Sequence, residues 1–381
     1  MDEKGTGSTE IPEKQLHKNT MLIVVVVAIV LAIGIATMIV YQLAVPHVAA
    51  ETTLTTANGS VTTSNVIGYI YCTTNANTKR PFMDLSLKKP GVLSNYAPIT
   101  VNGVGNWKPT EDYPAVILNP TCITNSGYVY CIGGEYQSSS WGAKTIYYTK
   151  PSDTGVTWNI GVGYPILSAY SSCVSEYNTT YCVGGWGGGF VDTNETFYHN
   201  ASSPGVGVWV ESTPYPFPVD SLSCVAYEGY IYCTGGFDNY TLSSINFSYY
   251  AKLTQDGIGN WTTTTNYPIP VDAQSCFVNS GYIYCVGGVD TVSGTSVTAA
   301  YYAPLSGKGI GRWANTTQYP DPLGGISCVV DGGLVYCIGG NNFSNNKYTD
   351  ATYYANLSVD GIGSWNEGNP YPAAGAFSCF A

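Results

Sequence analysis

One fourteen-residue block occurs five times in this chain, and its spacing constrains the fold more than any other feature. The copies read TCITNSGYVYCIGG from Thr121, SCVSEYNTTYCVGG from Ser172, SCVAYEGYIYCTGG from Ser223, SCFVNSGYIYCVGG from Ser275 and SCVVDGGLVYCIGG from Ser327. Their leading cysteines, Cys122, Cys173, Cys224, Cys276 and Cys328, are 51, 51, 52 and 52 residues apart. Six tryptophans keep the same step (Trp107, Trp158, Trp209, Trp261, Trp313, Trp365), as do Tyr-Pro pairs beginning at Tyr113, Tyr164, Tyr215, Tyr267, Tyr319 and Tyr371. Six units are therefore present, although only five blocks are complete. Gly68-Tyr69-Ile70-Tyr71-Cys72 matches the second half of a sixth block, and Ser378-Cys379-Phe380 matches its first half. A linear stack of repeats has no reason to split a unit between its ends. A closed ring has one, because the two ends then share a unit and lock the circle.

Within a block the pattern is strand, turn, strand. An apolar or aromatic run meets a turn such as Ser126-Gly127, Glu228-Gly229 or Gly332-Gly333, and a second run ends at Gly-Gly. A third strand carries an aromatic pair, as in Tyr249-Tyr250 and Tyr353-Tyr354. A Gly-rich turn follows, as at Asp256 to Gly259, and the repeat's Trp opens a fourth strand. Four antiparallel strands per ~50 residues, repeated in a ring, predict an all-β, six-bladed β-propeller over residues 65–381. Two hydrophobic strands, a Gly-Gly after the second, a later Tyr and then a Trp resemble the kelch repeat. The first unit departs from that pattern, with Thr73-Thr74 in place of Gly-Gly. The Cys pair in every unit is also foreign to the usual intracellular kelch sequence. The resemblance implies a kelch-like propeller, with binding of a protein or glycan as its usual role.

The cysteines have a geometric reading. In each complete block they are nine apart, so a two-residue hairpin sets Cys122 opposite Cys131 at a non-hydrogen-bonded position, where Cα atoms approach most closely. The same count pairs Cys173 with Cys182, Cys224 with Cys233, Cys276 with Cys285 and Cys328 with Cys337, leaving Cys72 for Cys379. A metal cluster would need cysteines converging in fours, whereas blades hold these pairs apart. Spacing, even number and export favour disulfides, with buried thiols as the alternative.

Export follows from the N-terminal region. Residues 21–41 read MLIVVVVAIVLAIGIATMIVY without a charge, enough to span a ~30 Å hydrocarbon core. Lys4, Lys14 and Lys18 precede this segment and no Lys or Arg follows before Lys79, so residues 1–20 are expected in the cytoplasm and the repeats outside. A cleaved signal peptide, with Val48 and Ala50 at the cleavage site, is the competing reading; the long apolar run favours a retained signal-anchor helix over 21–45. Residues 46–64 form a Thr/Ala/Ser-rich stalk. Every cysteine lies beyond the anchor, and so do ten N-glycosylation sequons: Asn58, Asn178, Asn194, Asn200, Asn239, Asn246, Asn260, Asn315, Asn342 and Asn356. The expected location is a single-pass cell-membrane protein with an extracytoplasmic propeller.

Composition narrows the chemistry. Fourteen basic residues against 25 acidic ones, a net charge of −11, leave no basic footprint for nucleic acid. His199 is the one histidine in the repeats, so a catalytic triad has at most one base, and the His cluster of an oxidase-type copper site is missing. Sialidases, also six-bladed, grip a carboxylate with three Arg; this chain has Arg80 and Arg312 alone. No cofactor or metal is expected. A carbohydrate-active enzyme would need two or more carboxylates facing one pocket. Aromatics at fixed repeat positions are expected to pack between blades. Aromatics that break the repeat are the ligand candidates: Tyr136, Trp141, Trp186, Phe190, Phe237, Tyr240 and Phe343, joined by Lys79 and Arg80 of the first unit. They lie in the loops after each second strand, at 134–146, 185–196, 236–248, 288–300 and 340–352. The leading expectation is a membrane-anchored binding module for an extracellular protein or glycan; the alternative is a passive spacer in a cell envelope.

Overall fold

A computed structural model of the chain describes residues 66–75, 92–136, 141–188, 191–200, 205, 207–375 and 377–381. The expected anchor, stalk and cytoplasmic arm, together with Asn58, Lys79, Arg80 and Phe190, lie outside the described residues.

The described chain forms six antiparallel blade sheets of four or five strands in repeat order, with two-stranded ladders beside them. Blade two is representative in its core: Thr121–Asn125, Tyr128–Ile132, Ile146–Thr149 and Asn159–Ile160 pair in sequence from the inside outward. The innermost strands touch one another around a full circle, ending with Phe377–Phe380 against Thr121–Asn125. Blade one is assembled from both ends, as the split block requires. Phe377–Phe380 is its inner strand and pairs with Val66–Asn75, in the register Tyr71↔Phe380, Cys72↔Cys379 and Thr74↔Phe377. The six-bladed propeller is therefore closed by its own termini.

All five complete hairpins share one turn. Both central residues have positive φ in each: Ser126 and Gly127, Tyr177 and Asn178, Glu228 and Gly229, Ser280 and Gly281, Gly332 and Gly333. That is the type I′ conformation, whose twist suits the flanking strands. It fixes the register that brings the cysteines opposite one another. Six disulfides result, Cys72–Cys379, Cys122–Cys131, Cys173–Cys182, Cys224–Cys233, Cys276–Cys285 and Cys328–Cys337, with Cα atoms 4.0–4.1 Å apart. No free cysteine remains among the described residues.

The repeat-locked aromatics hold blade to blade, as expected. Each Tyr of a Tyr-Pro pair meets the Trp of the following unit edge-on: Tyr113–Trp158, Tyr164–Trp209, Tyr215–Trp261, Tyr267–Trp313 and Tyr319–Trp365 at 5.0 Å between ring centres. Tyr371–Trp107, at 4.8 Å, completes the circle between blades six and one. Such pairs contribute about 0.5–1.5 kcal/mol each beyond the area they bury. A second ring runs through the tyrosine before each second-strand cysteine. Tyr181, Tyr232 and Tyr284 donate to the carbonyls of Thr254, Ser306 and Ser358 in the next blade, at 2.5, 2.9 and 2.7 Å. Tyr336 of blade six reaches Thr100 of blade one at 3.1 Å, and Tyr71 reaches Ser152 at 2.5 Å.

Two details differ from the expectation. In blade four the fourth strand is two short pieces, Gly257–Ile258 and Thr262–Thr263, both paired with Ser248–Thr254, and Trp261 stands between them. Blades five and six repeat this division. The break lets the indole turn inward and donate to the preceding blade, as Trp261 does to the Thr213 carbonyl at 3.2 Å. Second, the loops after the second strands of blades three to six contain hairpins of their own.

Candidate functional site

Antiparallel order puts two sets of connections on one face: the corners that lead from one blade into the next inner strand, and the loops between second and third strands. Together they surround a central cavity of about 820 Å³. The opposite face carries the type I′ turns and the turns between third and fourth strands.

The corners form the inner wall. Asn119, Tyr170, Ser221, Ala273 and Gly325 occupy the same repeat position, and all have φ between 48° and 63°. Left-handed backbone is costly for Asn, Tyr, Ser and Ala, and from Tyr170 to Gly325 a chain of three hydrogen bonds sustains it. Ser221 N–H donates to the Tyr170 carbonyl, Ala273 N–H to that of Ser221 and Gly325 N–H to that of Ala273, each at 2.9 Å. Below them the residue before each inner-strand cysteine lines the cavity: Thr121, Ser172, Ser223, Ser275, Ser327 and Ser378. Three of these hydroxyls accept the next blade's cysteine N–H, Ser172 from Cys224, Ser223 from Cys276 and Ser327 from Cys379, at 2.9–3.1 Å. They serve the ring rather than a ligand.

The Gly-Gly pairs launch the outer wall. Gly235 and Gly236 have φ of 66° and 116°, and a Cβ on Gly235 would stand 2.5 Å from the Val271 carbonyl oxygen of the next corner. Only glycine fits that turn and that approach. Hairpins follow. Phe237–Asp238 pairs with Ser243–Ser244, Val289–Asp290 with Thr295–Ser296 and Asn341–Asn342 with Lys347–Tyr348. Each opens on an Asx turn: Asp238, Asp290 and Asn342 accept the N–H two residues on, at 2.8–3.0 Å. Each turns on a positive-φ residue four further along, Leu242, Gly294 or Asn346. Successive hairpins are tied together. Asn239 donates from backbone and side chain to Asp192, Ser244 and Thr291 exchange bonds of 2.6–3.0 Å, and Phe343 N–H donates to Ser296 Oγ at 3.0 Å.

Of the candidates, Trp186, Phe237 and Phe343 line the cavity. Trp141 and Tyr240 do not; they project into solvent, Tyr240 with 96% of its surface exposed. Tyr136 is half-buried, packs against the core between blades one and two, and its hydroxyl meets Thr145 at 3.1 Å. Sequence reasoning missed the acidic groups. Glu135, Asp220 and Asp272 line the cavity, and Asp192 stands behind Asp220. Asp220 and Asp272 fall at one repeat position, five after the Tyr of the Tyr-Pro pair, where other units have Leu118, Ala169 and Gly324. That break in the repeat was the signal. Burial pushes the Asp272 carboxyl up to about 6, with Asp290 adding to the rise and the Ser244 hydroxyl, 2.6 Å away, opposing it. Burial raises Asp220 well above the ordinary carboxylate range, and Asp192 and Asp272 reinforce it. Glu135 accepts from the Tyr170 hydroxyl at 2.7 Å.

The pocket therefore meets the condition of several carboxylates facing one space. Asp192 and Asp220, however, are within hydrogen-bond reach of each other and share Asn239. That is closer than either separation glycosidases use, ~5–5.5 or ~6.5–9.5 Å. His199 is buried on the third strand of blade three, 5.2 Å from the Trp209 ring and away from the cavity lining. Among the described residues no group of three or more His, Cys, Asp or Glu is placed to hold a metal ion. The sequons divide by face. Asn178, Asn200, Asn260, Asn315 and Asn356 are exposed; Asn194, Asn239, Asn246 and Asn342 are partly buried, and the Asn239 amide nitrogen is engaged by Asp192 and Asp220.

This geometry is that of a β-propeller with a rigid scaffold face and a built, asymmetric cavity face. No protein-family profile matches the chain. Similar proteins include Kelch-like protein terF of Aspergillus terreus, 24% identical over 267 residues, covering 66% of this chain and 54% of the relative. They also include Kelch-like protein 41b of Danio rerio, 26% identical over 134 residues (35% and 20%), and Kelch repeat protein M-T8 of Myxoma virus, 22% identical over 262 residues (64% and 44%). The chain thus spans about half or less of the length of these relatives. The solved structure of YjhT superposes with a TM-score of 0.56 at 13% identity, over 68% of this chain and 86% of that one, and shows the shared fold. Relatives and architecture together support a kelch-repeat propeller.

Proposed function

We propose that this protein is a surface-displayed, membrane-anchored binding module, whose cavity face engages an extracellular protein or glycan. One observation carries the reading. The aromatics that keep the repeat are consumed by blade packing, whereas Trp186, Phe237 and Phe343, which break it, converge on one cavity. Aromatic side chains bring large contact area at low entropy cost, and such anchors dominate binding energy. The anchor and orientation rest on the uncharged run at residues 21–41 and the lysines before it. A rigid spacer would have no use for hairpins that, in blades four to six, keep one backbone and vary their side chains.

The test is a protein- and glycan-array screen with the detergent-solubilised full chain, repeated with a Trp186→Ala/Phe237→Ala double variant whose fold is confirmed by circular dichroism. Loss of an anchor of this kind costs about 2 kcal/mol or more, some thirtyfold in affinity. Undiminished binding by the folded variant removes this face and favours the spacer. Turnover of an arrayed glycan moves the reading to an enzyme.

A further inference from the structure

We propose that the mouth of the cavity receives a lysine or arginine side chain of a partner protein, gripped by Asp220 and Asp272 and surrounded by an apolar crown on the loop tips. The inference rests on the reading that this face binds a protein. It specifies the chemistry of the residue that enters.

The ionisable side chains of the lining are acidic in character. It contains the carboxylates of Glu135, Asp220 and Asp272 and no Lys, Arg or His among the described residues. Two further lining side chains present acceptors with no partner among the described residues: Gln274 Oε1 and Asn341 Oδ1, on residues only 5% and 7% exposed. The rest of the Gln274 amide is fixed, its Nε2 donating to the Thr234 carbonyl at 2.7 Å. Buried acceptors left without donors are costly, and a donor-rich head group that reaches them restores the balance. A guanidinium carries five donors and an ammonium three, both with the positive charge that complements a carboxylate.

The surroundings select a long, amphipathic side chain over a small cation. Trp186, Phe237 and Phe343 stand where an aliphatic stem would pass, and aromatic faces also attract a cationic head. Trp141, Val191, Tyr240, Leu242 and Val292, with Phe343 itself, are exposed on the loops of five successive blades, Val292 at 80%. Exposed apolar groups grouped in this way mark a protein interface, and a ring of them around a polar centre is the arrangement in which a buried charge pair gains most. An anionic membrane surface would meet the same carboxylates and be repelled, so a lipid bilayer is the poorer occupant.

The experiment is selection of a random peptide display library on the full chain, followed by affinity measurements on the enriched peptides. Enrichment of Arg or Lys flanked by apolar residues is expected. Replacing the enriched Arg by citrulline, which keeps shape and loses charge, should weaken binding about tenfold or more, the scale of a hydrogen bond to a charged group. This swap needs no variant of the protein, so a folding defect cannot imitate it. Asp220→Asn/Asp272→Asn should erase most of the Arg-over-citrulline preference. Peptides that lose binding to Trp186→Ala/Phe237→Ala but are acidic, or indifferent to citrulline, overturn this inference and leave the binding face standing. No enrichment at all overturns this inference and leaves a glycan as the ligand of the face; enriched peptides indifferent to Trp186→Ala/Phe237→Ala overturn both.

Discussion

Ring closure through Cys72 and Cys379 should stabilise the propeller more than any bridge inside a blade, and the difference is calculable from connectivity. Cys72 and Cys379 are 307 residues apart, whereas Cys224 and Cys233 are nine apart. Both pairs are buried and bridge neighbouring strands with nearly the same Cα separation, 4.1 and 4.0 Å. Replacing either pair by serines therefore removes similar chemistry and a very different loop. The chain-entropy relation assigns about 2–3 kcal/mol to the short loop and about 5–6 kcal/mol to the long one. The double variant Cys72→Ser/Cys379→Ser should lose about 3 kcal/mol more than Cys224→Ser/Cys233→Ser. Equilibrium denaturation in guanidinium without reductant, fitted with a common slope, measures this. Deleting residues 377–381 should be harsher still. It also exposes the partners of Phe377 and Phe380, both buried, at about 1.5–3 kcal/mol each. The total approaches the whole stability of an ordinary domain. Equal losses for the two serine variants would show that strand pairing alone holds the ring, and would refute the topological argument.

Three further outcomes follow from single side chains. The Tyr215 hydroxyl is buried without a partner, whereas that of Tyr371 accepts from Asn95 Nδ2 and shares its proton between the Cys72 and Leu93 carbonyls, all at 3.0 Å. Tyr215→Phe should be neutral or stabilising and Tyr371→Phe destabilising by about 1–3 kcal/mol, read by denaturant melts. Gly235→Ala should cost about 2–4 kcal/mol, because φ is positive and a carbonyl oxygen stands 2.5 Å from the new Cβ; a drop under 1 kcal/mol would place that corner differently. Asp272 has its pKa raised from 3.8 to about 6, so the folded state holds a proton that the unfolded chain releases. Its contribution is fully present below pH ~4 and is lost as pH rises through ~6, a decline of about 3 kcal/mol. Asp272→Asn should match the parent near pH 4 and exceed it at pH 8; parallel pH profiles would contradict the burial argument.

Blade number, closure and disulfide pairing were legible in the sequence because each repeats. A position that recurs six times, such as the Trp of each unit, declares a structural role by recurrence alone. The division of the fourth strand around Trp261 was not legible, since two-residue pairings leave no periodicity to count. The hairpins after the second strands were hidden for a different reason. They recur in geometry but hardly in residue type: Asp238, Asp290 and Asn342 make the same Asx turn, and Leu242, Gly294 and Asn346 share one backbone conformation. Aromatic content pointed to these loops, and of the residues it named Trp186, Phe237 and Phe343 line the cavity. It could not separate them from Trp141 and Tyr240, because which side of a short hairpin faces the axis depends on a bulge or turn one residue long. The acidic pair went unnoticed because Asp220 and Asp272 stand in otherwise ordinary corner sequences.

The corner ring explains why acidic residues are tolerated there at all. At the corners themselves, closure between blades is made by main chain. Gly185, Gly236 and Gly288 N–H groups donate to the carbonyls of Val219, Val271 and Leu323 in the next blade, and the positive-φ residues chain together through backbone bonds alone. The side chains one position earlier, Leu118, Ala169, Asp220, Asp272 and Gly324, carry none of that closure. They range from apolar to charged with no change in the backbone that bears them; Asp220, Asp272 and Gly324 make the same antiparallel bridge to Phe237, Val289 and Asn341. A scaffold bound by its backbone leaves such positions open to whatever a ligand requires. In this chain two adjacent blades use that freedom for buried carboxylates, at a stability cost that the pH dependence of Asp272 would expose. A cost of that kind, confined to the blades whose hairpins also present Tyr240 and Val292 to solvent, is what a binding site on one side of the axis requires and what a uniform spacer has no reason to bear.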